Sequence, residues 1–147
     1  ELKPIVHIDL HETTNTDNSE FRPALAARDG KFQDNWDIPD GFYLVGDEHR
    51  PEEDFQEAII KKVTQVTHIA PADKQGRIIG SPITQKGVIN YDCKKAGLST
   101  GITDAEFVTI TEVYPDSPKT NPTECVEAQA AAIVGALEYV QEELEYR

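Results

Sequence analysis

The sequence has no methionine, one tryptophan and two cysteines, and aromatic residues are only 7% of its 147 positions. Basic residues are also scarce: 14 Lys and Arg stand against 27 Asp and Glu, a net charge of −13. That shortage argues against a nucleic-acid partner, whose phosphates are held by Lys and Arg. It equally argues against docking on an anionic membrane. No apolar run approaches the roughly 20 residues of a membrane span, and no stretch has the succession of a secretory signal. The absence of methionine leads to the expectation that Glu1 is not a translation start, and that the chain is a processed product or the downstream part of a longer protein. Cys93 and Cys125 are too few for a disulfide framework and have no cysteine or histidine at metal-binding spacing. They read as reduced thiols of a cytoplasmic protein, with a single disulfide as the alternative. The length suits one domain with a true core, and 38% hydrophobic with 28% charged residues is an ordinary globular balance.

The most telling stretch lies at the start: Lys3-Pro4-Ile5-Val6-His7-Ile8-Asp9-Leu10-His11-Glu12-Thr13-Thr14. Residues 4–10 read as a strand, since β-branched residues suit a pleated surface and a parallel strand covered on both faces is a nearly continuous apolar run. His11 and Glu12 follow where open α/β sheets place their ligands, beyond the carboxyl ends of strands. A histidine there serves equally as a hydrogen-bonded structural residue. His7, Asp9 and His11 share a strand face by the period of two. His7 and Asp9, inside the run, read as structural or supporting contacts.

Residues 11–40 are rich in Asn, Asp, Thr, Pro and Gly, with helical turns expected around Pro23 to Ala27 and with Phe21, Leu25, Phe32 and Trp36 expected to pack on the body. Gly41 to Val45 reads as a short strand. Pro51 and the acids behind it start a helix expected to reach about residue 67, with Phe55, Ala58, Ile59, Val63 and Val66 on its inner face. Residues 70–92 are strand and loop. Phe107 to Val113 alternates and is a strand. Asn121 caps a last helix with Pro122 at its first position, and Val126, Ala130, Ile133, Val134, Leu137 and Val140 form its expected buried stripe. Glu112 stands near the end of the 107–113 strand. It is either an exposed strand-end residue or, if buried, a carboxyl raised toward a general base. The H-x-x-E of His49 to Glu52 is explained as a helix start, and no G-x-S-x-G supports a serine hydrolase.

Taken in order along residues 4 to about 140, these features resemble the zinc carboxypeptidase superfamily, including its succinylglutamate desuccinylase/aspartoacylase branch. Asp9-Leu10-His11-Glu12-Thr13-Thr14 looks like the strand that ends in that family's third zinc-binding histidine. Glu112, in an apolar strand before the last long helix, looks like its catalytic glutamate. Tyr91 stands 21 residues before Glu112, as the family's mobile substrate-binding tyrosine does. The resemblance implies an α/β fold, part of a mixed, mostly parallel sheet flanked by helices. It also implies a single domain over 1–147 that is the C-terminal portion of a catalytic domain lacking its N-terminal strands. The family's H-x-x-E, which brings the first two zinc ligands, has no counterpart upstream of His11. The zinc would therefore take its remaining ligands from a missing N-terminal half, and this piece alone would be inactive.

The implied reaction is amide hydrolysis, releasing a C-terminal amino acid from a peptide or deacylating an N-acyl amino acid. His11 would hold zinc and Glu112 would be the general base. Tyr91 would close on the substrate and Arg22 would bind its carboxylate, although Arg22 serves equally as a loop-bracing arginine. Two other readings compete. One is a metal-free binding or regulatory module on the same fold. The other is a separate metal site built from His7, His11, His49 and Glu52.

Overall fold

A computed structural model describes residues 3–32 and 36–147. In chain order the elements are β1 (Val6–Glu12), α1 (Arg22–Asp29), β2 (Tyr43–Asp47), α2 (Glu53–Val63), β3 (Arg77–Ile78), β4 (Ser81–Gln85), β5 (Val88–Tyr91), α3 (Cys93–Ala96), β6 (Phe107–Val113) and α4 (Pro122–Glu145). A π-helical turn, Asp17–Phe21, leads into α1, and a 3-10 turn, Ser99–Ile102, precedes β6. The strands form a six-stranded mixed sheet in the order β1-β6-β2-β5-β4-β3. The protein is thus α/β, with its sheet flanked by helices. The sheet is not mostly parallel: β1–β6 and β2–β5 are parallel, whereas β2–β6, β4–β5 and β3–β4 are antiparallel. For β3–β4 and β4–β5 the reason is local. The Gly- and Pro-rich residues 76–87 make tight reversals, which antiparallel strands can use and parallel strands cannot.

Alternation divides the sheet into two faces. Leu44, Val88, Phe107 and Val113 point to α2 and α4 and pack with Phe55, Ile59, Val63, Ala128, Ala132, Ala136 and Val140. Phe55, Phe107 and Tyr139 form an aromatic cluster with ring centroids 5.2 to 5.9 Å apart. Gln56 is buried within this layer with both ends of its amide used. Its nitrogen donates to the Val108 carbonyl at 3.0 Å, and its oxygen accepts from the Thr109 hydroxyl at 2.9 Å. The opposite face carries Tyr43, Val45, Ile89 and Ile110, covered by Ala70, Ile78 and Leu98.

Four expectations need correction. α2 ends at Val63 because the chain beyond must straighten: Phe42 N donates to His68 O at 3.0 Å and Ala70 N to Phe42 O at 2.8 Å. The buried face of α4 is made by Cys125, Ala128, Ala132, Gly135, Ala136 and Val140, while Val126, Val134 and Leu137 are exposed. Close helix contact explains this. A Cβ on Gly135 would lie 2.9 Å from the Lys62 Cβ and 3.3 Å from the Ile59 Cα, so only small residues fit against α2. β1 is not covered on both faces but lies at the sheet edge, with Ile5 and Leu10 exposed. It runs on to Glu12, following β6 in register as far as Val113. Phe21 and Phe32, expected to pack on the body, are exposed as well.

The start of α4 is as expected. The Asn121 side chain accepts from Glu124 N at 3.1 Å and Pro122 opens the helix. No helix among the described residues is long and apolar enough to cross a membrane. Cys93 and Cys125 are both free and buried, so the alternative of a disulfide is not realised.

Candidate functional site

β1 and β6 run parallel, and their register sets His11 beside Glu112 near the carboxyl ends of both strands. On the other side of β6, Tyr43 is the antiparallel partner of Glu112. Side chains opposite one another on neighbouring strands share a face, so the carboxyl of Glu112 is flanked by an imidazole and a phenol. Thr13, directly after β1, is anchored by its N–H on the Val113 carbonyl at 2.9 Å. Its hydroxyl donates to Glu112 Oε2 at 3.1 Å and lies 2.9 Å from the Tyr43 hydroxyl. A hydroxyl has one proton. Since Thr13 gives its proton to the carboxylate, Tyr43 must donate to Thr13, and the two side chains form a directed chain ending on Glu112.

Burial is the main influence on Glu112 and raises its pKa to about 7, against the opposing effects of the His11 charge and the Thr13 hydrogen bond. Burial likewise raises Tyr43, with the Glu112 charge adding to it, so its phenol stays protonated. His11 Nδ1 lies 3.3 Å from Asp9 Oδ2, and the Ser99 hydroxyl donates to the same carboxylate. The ring is half-exposed, and Nε2 has no hydrogen-bond partner among the described residues. A histidine backed by a carboxylate, with its other nitrogen open, is how imidazole is oriented toward a metal. His7 makes a supporting contact, Nδ1 to Thr103 Oγ1 at 2.9 Å.

The other two predicted site residues lie farther off. Tyr91 ends β5 and pairs with Asp47, while Glu112 pairs with Tyr43, so Tyr91 sits one strand beyond and toward the opposite end of β2. Its hydroxyl accepts from Ser81 at 3.2 Å. Burial raises its pKa, opposed by the Ser81 bond and the charge of Arg22 and assisted by that of Glu112. Arg22 opens α1 with its guanidinium 3.8 Å from the Trp36 ring centroid. The structure therefore joins His11 and Glu112 directly and leaves Tyr91 and Arg22 at the periphery. Thr13 and Tyr43 were not singled out from the sequence. Thr13 was within reach as part of the D-L-H-E-T-T run; Tyr43 depends on the β2–β6 register, which carries no local signal.

Zinc fits this donor set in part: His11 supplies one suitably backed nitrogen, the neighbouring carboxylates are Glu112 and Asp9, and no group of three donors among the described residues includes His11. The grouping of three potential donors among the described residues is Glu48, His49 and Asp92, at the ends of β2 and β5. There His49 Nε2 is 3.3 Å from Asp92 Oδ2 and 3.9 Å from Glu48 Oε1. His7, His11 and Glu52 take no part in it, so the separate site imagined from His7, His11, His49 and Glu52 does not assemble. Because β2 opposes β6 in direction, His49 emerges at the end of β2 away from Glu112. No protein-family model matches the sequence, and no curated protein is significantly similar to it.

Proposed function

We propose that the chain is the C-terminal part of a zinc-dependent amide hydrolase with a carboxypeptidase-like fold, in which Glu112 is the general base and His11 one of the zinc ligands. The observation that carries this reading is a carboxyl raised to about 7 beside a histidine backed by Asp9, both at the carboxyl ends of adjacent parallel strands. Zinc bound at His11 and two further residues would polarise the scissile carbonyl and lower the pKa of a bound water. Glu112 would serve as the base for the attacking water, accepting its proton as the water oxygen bonds to the carbonyl carbon and handing that proton to the leaving amine nitrogen as the C–N bond breaks. Thr13 occupies Oε2 and leaves Oε1 for the water. Tyr43, donating to Thr13, keeps the carboxylate in place through the cycle. Arg22 and Tyr91 would meet the substrate at the margin, Arg22 through the substrate carboxylate. The substrate is a peptide with a free C-terminus or an N-acyl amino acid, and the two further ligands come from a preceding half of the domain.

The test joins this chain to the polypeptide encoded ahead of Glu1 and loads it with zinc. Glu112→Gln should abolish hydrolysis of an N-acyl amino acid or blocked dipeptide while zinc content, measured by elemental analysis, stays unchanged. Turnover retained in that variant would sink the assignment.

A further inference from the structure

We propose that Trp36 is a cover over Arg22 that the substrate's carboxylate displaces: the indole lies over the guanidinium and swings off when an anion takes Arg22. The inference rests on the reading of Arg22 as the substrate-carboxylate anchor and adds how that anchor is opened. The chain has five arginines. Arg28, Arg50, Arg77 and Arg147 each pair with a carboxylate. Arg22 pairs with none among the described residues, although acids outnumber bases 27 to 14. Its guanidinium instead stands 3.8 Å from the centroid of the Trp36 ring. An indole attracts the cation but accepts none of its N–H bonds in the guanidinium plane. Arg22 Nη1 is enclosed with no hydrogen-bond partner, an unfavourable state for a charged donor. Asn18 gives a second, independent sign. Its Nδ2 donates to the Trp36 carbonyl at 2.9 Å, while its Oδ1 is enclosed and unpartnered. Of the four such orphaned atoms among the described residues, two therefore belong to side chains that hold Trp36. These unmade bonds offset what the stack returns, so the covered arrangement is poised rather than locked.

The cover is also in the right place. A Cβ on Gly80 would stand 3.6 Å from Trp36 Cδ1, so the indole edge faces the β3–β4 turn. Ser81, the next residue, is the donor to the Tyr91 hydroxyl. The charges of Arg22 and Glu112 both reach that same hydroxyl. A carboxylate gives Arg22 what Trp36 cannot, two parallel charge-assisted hydrogen bonds in the guanidinium plane. It binds the uncovered form alone and so shifts the population toward it. The movement needed is rotation of one side chain, because the Trp36 carbonyl stays on Asn18. α1 buries none of its residues, so its first turn yields readily.

The test uses the 147-residue chain without metal, because Trp36 is its one tryptophan and the indole emission reports this ring alone. N-acetylglycine at about 1 mM and above should shift that emission to the red and roughly double its quenching by acrylamide, saturably. N-acetylglycinamide, which lacks the carboxylate, should do neither. Arg22→Lys keeps a cation for the ring but loses the planar fork. The emission of the free chain should then stay as it is, and the response to N-acetylglycine should weaken about tenfold. Trp36→Leu removes the cover. Followed by calorimetry, with the fold checked by circular dichroism, it should bind N-acetylglycine about two- to fivefold more tightly, the factor the stack accounts for. A tryptophan that merely braced α1 would leave the affinity equal or lower when removed. Binding that leaves the Trp36 emission unchanged, or that does not tighten in Trp36→Leu, overturns the cover and keeps Arg22 as the anchor. Absence of binding in both the wild type and Trp36→Leu overturns the anchor and the cover together. Neither readout involves zinc or Glu112, so the hydrolase assignment stands or falls by its own experiment.

Discussion

The two faces of this sheet draw on the same strands and are held by different forces. Toward α2 and α4 the contacts are apolar and close, with alanines and Gly135 setting the helix spacing and three aromatic rings filling the middle. Gln56, Thr109 and Thr111 are the buried polar side chains there, and the Gln56 amide is bonded at both ends. Toward the loops the strands present Glu112, Tyr43, Asp9 and His11, which rely on Thr13, Ser99 and one another. The difference separates duties. The helix face supplies stability that does not depend on pH, and this lets the other face bury a carboxyl at a cost that does.

The largest effect should come from the helix face. Phe107→Ala removes the ring between Phe55 and Tyr139 and should cost about 3–5 kcal/mol in denaturant unfolding at any pH from 5 to 9; a loss under about 1 kcal/mol would break the comparison. The site face should behave in the opposite way. Glu112 has its folded pKa raised from 4.5 to about 7. Its favourable contribution is therefore fully present below 4.5 and is lost as pH rises through 7. Glu112→Gln should match or trail the wild type near pH 4 and gain on it above pH 7, by up to about 3 kcal/mol. Equal stability differences at both pH values would show that the carboxyl is not buried as described.

The smallest effect lies where the two sides meet. Asp40 accepts from Ser117 at 2.6 Å, pairs with the Lys119 ammonium and lies 3.3 Å from His68 Nε2. The Lys119 and Ser117 bonds hold its pKa at about 2. A depressed carboxylate stabilises above its ordinary pKa and loses that contribution as pH falls through the folded value. Asp40→Asn should cost about 1 kcal/mol at pH 6, after allowance for solvent screening, and nothing near pH 2. Thermal unfolding across that range would read the sign, and a cost that grew on acidification would reverse the assignment.

The parts legible in the sequence were those whose signals are local. The 107–113 strand and the Asn121–Pro122 helix start stand where alternation and capping chemistry put them. So do His11 and Glu112, each marked by polar residues ending an apolar run. Tertiary choices were not legible. Periodicity marked the bulky residues of α4, Val126 to Leu137, as its buried stripe. Contact with α2 buries instead the small residues Ala128, Ala132, Gly135 and Ala136, because backbone proximity is not written in hydrophobicity. The edge position of β1 was hidden for a similar reason: Ile5 to Leu10 has the composition of a central strand. The link from Tyr43 through Thr13 to Glu112 needs three segments brought together by strand register.

The parallel pairing of β1 with β6 also bears on how the molecule assembles. His11 and Glu112 are neighbours although 101 positions separate them in the chain (112 − 11). Closing so long a loop is entropically slow, while α2, α4 and the β4–β5 hairpin can form from nearer contacts. The edge strand should dock late in folding and peel away early under stress. The chemistry proposed for this site would then switch off through loss of a single strand, well before the helix-covered core gives way.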